Sequence, residues 1–454
     1  MSNLWVNAQK VFSMQNLRFQ ILADYFRVPC ELDWLITGYQ IDSRLIKEGN
    51  LFFALKGEKT DGHLHLSDAK KRGAIAAVVD KNYPGSDFGL FLLFVEDVER
   101  ALQQLAQFSL SLQAPPPRII GITGSVGKTT TKDFVAELLS KKYKVFKTPH
   151  SYNSKLTFPL NLLNRSDEEI LVLEMGMSEA GEIGSLVQIA APDIAVLTKI
   201  SLAHAAFFPN GLEDIVKEKL QIFSSPKTQI AIFPDEISLE TSAKKICFSL
   251  QNRNADYFLS VLDGRVYVDE RGVRAYQFDL PFKQSHIVYN FLIAVTVARQ
   301  MKMEWDEINQ QINTLRLPAM RFEQFEKNGI FFVNDAYNAN PESMRSALLN
   351  FPEPKENGKR IAVFGTMKEL GGFSKNAHEE IGFLAQRIVD HLLVIGEEAL
   401  ILCETFAQVQ KPAEYFLDLK ALAERLKALM CPGDVVLVKG SRSMHLEHLF
   451  DLLI

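Results

Sequence analysis

Apolar residues along this chain recur at two spacings, and the alternation between them predicts a layered α/β protein. Short continuous apolar runs at 118–123, 169–175, 193–200 and 228–233 read as buried strands, with helical runs between them. That rhythm predicts a parallel sheet wrapped by helices. From 257 to 282 the pattern turns to hairpins around Asp263-Gly264, and a helix follows from His286 to Met303. A second βα series places strands at 331–335, 360–365, 391–396 and 434–439. Upstream, 17–113 alternates short strands and helices and closes on a helical run at 98–112. Within it the greasy run 88–95, bounded by Asp87 and Glu96, predicts a buried strand.

At 454 residues the chain is too long for one core, and a prior of about 100 to 200 residues per domain gives roughly two to four domains, of which three is the working number. Ala114-Pro115-Pro116-Pro117 cannot continue a helix and favours a stiff connector, so one boundary falls there and a second near Leu317-Pro318. The predicted domains are 17–114, 115–317 and 318–454, and both boundaries are candidate hinges. The first 15 or so residues form an extension with no assignable role.

Composition narrows the class. Hydrophobic content of 47%, charged content of 23% and a net charge of −5 describe an ordinary globular protein and argue against a nucleic-acid partner. Cys30, Cys247, Cys403 and Cys431 lack C-x-x-C spacing, which argues against a zinc site or disulfide framework and fits a cytoplasmic protein. The N-terminus lacks the basic start and apolar run of a signal peptide. No apolar run approaches the ~20 residues needed to insert in a membrane.

The strongest chemical signal is G-I-T-G-S-V-G-K-T-T-T at 121–131, a glycine turn between a strand and a helix. Gly124 and Gly127 let backbone N–H groups approach an anion, Lys128 supplies a cation, and the Thr129 hydroxyl reaches a Mg²⁺ bridging phosphates. A nucleoside triphosphate is the expected ligand. The strict pattern G-x-x-x-x-G-K-[ST] wants glycine where Ile122 stands. A bare strand-to-helix turn is the alternative, although a lysine followed by three threonines packs poorly in that role.

Other candidates carry two readings each. Glu174 ends an apolar run at the carboxyl end of a strand, where it would hold Mg²⁺ beside Thr129 or simply be solvated. Lys219 sits mid-face on the helix 211–223 among Leu212, Ile215, Val216, Ile222 and Phe223. It is either buried and in need of a partner or a snorkelling lysine. His204 follows the strand 193–200, but a lone loop histidine usually has no chemical role. His286 and Asn290, four residues apart, share a helix face that either contacts a base or ribose or is merely polar. The last block resembles a dinucleotide-binding fold, yet its turns lack G-x-G-x-x-G, which argues against a nicotinamide cofactor.

These pieces, in this order, resemble the Mur ligases, ATP-dependent amide-forming enzymes of bacterial cell-wall precursor synthesis. The likeness runs from about residue 17 to the end, and the loop resembles the family's own version, including the missing first glycine. D-S-R at Asp42 to Arg44, D-G-H ending at His63, N-D-A-Y-N-A-N-P-E-S-M from Asn334 to Met344 and G-D-V-V-L-V-K-G-S-R from Gly433 to Arg442 resemble the members that add D-alanyl-D-alanine to UDP-N-acetylmuramoyl-tripeptide. The fold implied is a small α/β N-terminal UDP-binding domain, a central P-loop parallel-sheet ATPase domain and a C-terminal Rossmann-like domain, acting as a monomer.

The resemblance implies a role for particular residues. Thr123, Gly124, Ser125, Val126, Gly127, Lys128, Thr129 and Thr130 would bind ATP, with Lys128 gripping the phosphates. Thr129 and Glu174 would hold one Mg²⁺, and His204 a second. Lys219 matches a lysine that the family modifies to a carbamate, which also ligates the second ion. Lys128, Lys219 and His204 would be catalytic. His286, Asn290, Arg321 and Asp335 would hold adenine and ribose. Ser43 and Arg44 would lie near the uridine diphosphate, and Asn153, Asn338, Asn340, Lys439 and Ser441 would contact the other substrates. A carbamate needs a neutral amine, and neutralising a lysine of ordinary pKa at pH 7 costs roughly 4 to 5 kcal/mol unless burial lowers that pKa.

Three positions depart from the family pattern: Lys199 stands where asparagine is usual, Thr157 where glycine is, and Ile287 where asparagine is. None is an implied metal ligand. Folylpolyglutamate synthetases and the ligase adding the third peptide residue share the fold, but the D-S-R to D-G-H stretch and N-A-N-P argue against both. A nucleotide-dependent switch would need neither Lys219 in an apolar face nor an extra UDP-sugar domain.

Overall fold

The computed structural model describes residues 14–453 other than 15, 31, 33, 58, 59 and 356, so most of the N-terminal extension lies outside the described residues. Three main sheets follow one another along the chain. The first pairs Gly38–Gln40, Asn50–Phe53, Ala76–Asp80 and Phe91–Val95 in sequence order, all parallel. Side-chain alternation divides these strands between two cores: Leu51, Phe53, Val78 and Leu93 face one, and Phe52, Ala77 and Val79 the other. The run predicted at 88–95 shortens to Phe91–Val95, and Phe88 and Phe94 are exposed. This is the sheet's edge strand, so one side has no neighbour to cover it.

The helix Val98–Leu112 starts where the Asp97 carboxylate accepts a 3.0 Å hydrogen bond from the Arg100 amide and stops short of the prolines. Its apolar face enters a core shared by Leu51 and Val78 of the first sheet and Phe158, Leu171 and Leu186 of the next. Asn164 completes the join, accepting from the Tyr39 amide (3.0 Å) and donating to the Tyr39 carbonyl (2.9 Å). A single core therefore spans the proline connector, and packing leaves no free joint there.

The central sheet has nine strands, ordered Val145–Lys147, Ile170–Glu174, Arg118–Thr123, Ile194–Leu197, Ile230–Pro234, Lys244–Ser249, Tyr257–Leu262, Arg265–Glu270 and Val273–Phe278. It is parallel as far as Tyr257–Leu262, and the last two strands add as antiparallel hairpins. Ile120, Ile122, Val172 and Val196 face the helices Lys128–Leu139 and Ser285–Gln300, while Ile119, Leu171 and Ala195 face the core shared with the first domain.

The third sheet runs Glu323–Lys327, Ile330–Asn334, Val435–Lys439, Arg360–Gly365, His391–Ile395 and Ala413–Phe416, parallel except for its first strand. The final strand returns between two earlier ones, which brings Val438 beside Asn334 and Lys439 beside Phe364. Its two cores contain only residues from this block. Among the described residues, no hydrophobic core crosses the second boundary, and no helix is long and apolar enough to cross a membrane.

Candidate active site

The strand Arg118–Thr123 delivers its carboxyl end into the glycine turn, and Lys128–Leu139 begins immediately after it. Ile122 is fully buried in the strand, so it belongs to the sheet core and the turn starts only at Gly124. Glycine is required at both turn positions. Gly124 has φ +148°, and a Cβ there would lie 1.9 Å from Thr198 Oγ1; Gly127 has φ +88°, and its Cβ would lie 2.3 Å from Asn290 Oδ1. The loop is pinned from the neighbouring strand end: the Ser125 amide donates to the Lys199 carbonyl (2.8 Å), and Thr198 Oγ1 to the Val126 carbonyl (2.7 Å). Lys128 Nζ folds back onto the Gly124 carbonyl at 2.7 Å. Burial pulls its pKa down, with Glu174 opposing and Arg321 adding to the shift. Thr131 faces inward, donating to Asn290 Oδ1 at 3.3 Å, so only the first two threonines of the run line the cavity.

Glu174 is buried at the carboxyl end of the adjacent strand. Its Oε2 accepts from Thr129 Oγ1 (2.8 Å), and its Oε1 from Asn153 Nδ2 (2.9 Å). Ser151 Oγ lies 3.0 Å from the Thr129 hydroxyl, and Lys132 Nζ lies 4.0 Å from Glu174 Oε2. Lys132 is itself buried and donates to the Thr148 and His150 carbonyls at 2.7 and 2.5 Å. This set of a carboxylate and two hydroxyls beside a phosphate turn fits a hard divalent cation such as Mg²⁺. Sequence reasoning missed Ser151 and Lys132; the spacing of Lys132 one helical turn after Lys128 was the available signal for the second.

Lys219 is 1% exposed. The helix carrying it spans Leu212–Leu220 and tightens into Gln221–Phe223, and Ile215, Ile222 and Phe223 are buried as the spacing predicts. Leu212 is the exception at 48% exposed, because it opens the helix at the surface. Burial first, then the nearby Lys128 ammonium, hold the Lys219 pKa well below the ordinary lysine range, with Glu218 opposing. The buried Glu218 carboxylate accepts from the Gly181 and Ile183 amides, both at 2.9 Å, at the start of the helix Glu182–Ile189.

His204 has φ +58° and its Nδ1 pairs with the Glu369 carboxylate of the third domain. The Ala206 amide also donates to the Glu369 carbonyl at 3.0 Å. This partner, 165 residues away, carried no motif in the sequence.

The remaining predicted residues converge from both sides of the second boundary. Arg321 Nη2 donates to Thr129 Oγ1 at 2.8 Å while its guanidinium lies 4.1 Å over the Tyr337 ring. Asp335 accepts from the Phe322 amide (3.0 Å) and from Lys439 Nζ (2.6 Å), and Lys439 also donates to the Asn338 carbonyl (2.8 Å). Burial depresses the Lys439 pKa against the pull of Asp335. The His286 ring packs edge-on against Phe322, its Nδ1 has no hydrogen-bond partner, and burial lowers its pKa to about 4. Asn340 caps the helix Pro341–Leu349, accepting from the Ser343 amide at 2.9 Å, and Ser441 Oγ accepts from the Lys368 amide at 2.8 Å.

One cavity of about 840 Å³ collects these groups, lined by the phosphate turn, Asn153, Glu174, His204, His286, Asn290, Arg321, Asp335, Asn338, Asn340, Lys439 and Ser441. Thr123 and Lys219 are not on its wall, and neither are Ser43 and Arg44. The last two form a short turn in the first domain, where Asp42 grips Arg44 through both carboxylate oxygens.

Comparison with known proteins matches three consecutive segments: the Mur ligase family catalytic domain at residues 35–109, the Mur ligase middle domain at 122–298, and the Mur ligase glutamate ligase domain at 320–442. The UDP-N-acetylmuramoyl-tripeptide--D-alanyl-D-alanine ligase of Bacillus subtilis (strain 168) is 32% identical over 432 residues, covering 92% of this chain and 93% of that protein. Its Escherichia coli K12 counterpart is 30% identical over 433 residues, covering 91% and 93%. The crystal structure of MurF ligase from Thermotoga maritima in complex with ADP superposes with a TM-score of 0.80 at 32% identity, covering 92% of this chain and 96% of that one.

Proposed function

The chain belongs to the Mur ligase family, and from that premise we propose that it joins D-alanyl-D-alanine to UDP-N-acetylmuramoyl-tripeptide at the expense of ATP. The observation that carries this reading is the single cavity in which a phosphate turn faces the N-A-N-P segment and Lys439 of a separately packed domain. A nucleotide held on one side and an acceptor on the other meet there.

The reaction divides into two steps. A carboxylate is too poor an electrophile for an amine, so a carboxylate oxygen of the tripeptide first attacks the γ-phosphorus of ATP, the bond to ADP breaks, and an acyl phosphate forms. The free amine of the dipeptide then attacks the acyl carbon, and phosphate leaves with the former C–O bond as the amine proton is lost. Lys128 and the turn amides neutralise charge on the phosphates. Arg321, anchored on Thr129, adds a cation at the same point. Mg²⁺ bound by Thr129 and Glu174 would supply further charge neutralisation. His286, Asn290, Arg321 and Asp335 would hold the base and ribose, Ser43 and Arg44 the uridine diphosphate, and Asn153, Asn338, Asn340, Lys439 and Ser441 the remaining substrates.

The buried, low-pKa Lys219 is suited to carbamate formation: the ammonium gives up a proton, the neutral Nζ bonds to the carbon of CO₂ and loses a second proton, and an anion stands where the cation was. His204 would serve as a second metal ligand by releasing Glu369. An acyl phosphate hydrolyses readily, so the third domain closes on the other two about the 315–320 segment and excludes water. Phosphate release measured with each substrate omitted, and with both the diaminopimelate and the lysine tripeptide nucleotides, tests the proposal. Release that persists with both the tripeptide nucleotide and the dipeptide omitted would mark a nucleotide switch instead.

A further inference from the structure

Among the described residues, the third domain is held to the central one by polar contacts and a few side-chain touches rather than by a shared core. One of those contacts reaches the phosphate turn directly. The Lys199 carbonyl accepts from the Ser125 amide (2.8 Å) and the Val126 amide (3.3 Å), so the backbone of Lys199 moves with the turn. Its ammonium crosses the cavity rim and pairs with Glu342, in the first turn of the helix Pro341–Leu349. That helix is fixed in the third domain by its Asn340 cap and by Met344, Ala347 and Leu348 in the core. Lys199 and Glu342 are thus the two ends of a polar strut between the nucleotide-holding turn and the acceptor side, and both line the cavity.

We propose that Lys199 and Glu342 are positioning residues that latch the third domain onto the phosphate turn and set the distance between the activated carboxylate and the acceptor amine. The proposal rests on the ligase reading above. Their side chains are 43% and 24% exposed, and a pair so placed is weak. A weak pair suits a contact that has to form and break in every catalytic cycle. Neither group needs to touch a reacting atom, because each acts through the element that carries it.

The test uses the full chain with Lys199→Met, Glu342→Gln, Glu342→Lys and the charge exchange Lys199→Glu/Glu342→Lys. Each neutralising variant is expected to raise KM for D-alanyl-D-alanine about fivefold, the size expected for one partly exposed pair, and to leave KM for ATP within about twofold. The exchange is expected to restore the dipeptide KM. General damage to the turn would instead raise the ATP KM, and that result, an unchanged dipeptide KM, or failure of the exchange to rescue would overturn the latch. Small-angle X-ray scattering with ADP bound supplies a readout that needs no turnover. Glu342→Lys, which opposes two ammonium groups, is expected to be more extended than the parent, and the exchange to be compact again. Equal dimensions for all forms would overturn the latch, whereas the expected scattering from a chain that performs no ligation would leave the latch standing and sink the ligase reading.

Discussion

Thr129 Oγ1 donates to Glu174 Oε2 across 2.8 Å, joining the first turn of the phosphate-loop helix to the end of the adjacent strand 45 residues later. Both residues are buried, and Asn153, Ser151 and Arg321 complete the ring around them. Glu174→Gln keeps the shape and removes the charge. It is expected to weaken apparent Mg²⁺ affinity by on the order of a hundredfold, by analogy with the loss of other metal-site partners. A magnesium titration of ATP turnover checks this, and an unaltered midpoint would remove Glu174 from the metal site.

Lys219 carries a second prediction. Burial and Lys128 already favour its neutral form, which is the form that adds CO₂. Lys219→Ala is expected to abolish turnover, and a short carboxylic acid such as acetate to restore part of it by occupying the space of the proposed carbamate. Full activity in the untreated variant would show that the lysine is only a core residue.

Gly127 offers a steric test. At φ +88°, with Asn290 Oδ1 2.3 Å from any added Cβ, Gly127→Ala has to displace both the turn and the asparagine. The dihedral alone costs roughly 1 to 3 kcal/mol. The substitution is expected to remove most of the thermal stabilisation that ATP confers while the unliganded chain still unfolds cooperatively, as differential scanning fluorimetry would show.

His286 predicts an acid limb. Its folded pKa of about 4 lies below the ordinary histidine value of 6.5, so between those values the unfolded chain binds the extra proton. Stability associated with the neutral ring is therefore complete above pH 6.5 and is lost as pH falls towards 4, by up to about 3 kcal/mol. His286→Gln is expected to flatten that part of a urea-denaturation series between pH 7 and 4.5, and an unchanged slope would mean that other groups set the limb.

Much of this was legible along the chain. The central strands Arg118–Thr123, Ile170–Glu174, Ile194–Leu197 and Ile230–Pro234 were readable because each is a largely apolar run covered on both faces, and the turn because only glycine tolerates its φ at Gly127. Lys219 was legible as a charged residue inside a periodic apolar face. The edge strand Phe91–Val95 and the exposed Leu212 were misjudged for one reason, since apolar spacing cannot tell whether a neighbouring element arrives to cover the face. The strand Ala413–Phe416, short and only half buried, gave too little signal to be found. The proline connector looked like a hinge because local stiffness is visible in sequence, whereas the core that closes over it is not.

By itself, then, the sequence determined those features that arise within a few residues: strand and helix periods, the glycine turn and the place of Lys219 on a periodic apolar face, whose burial packing then decided. Tertiary structure alone decided which side chains meet across domains. Arg321 reaches Thr129 over 192 residues, His204 finds Glu369 and Lys199 finds Glu342. The physical reason is range. Backbone sterics and side-chain spacing act between near neighbours and repeat wherever the same residues recur, but contacts between domains depend on how whole sheets pack and where the chain turns from one core to the next.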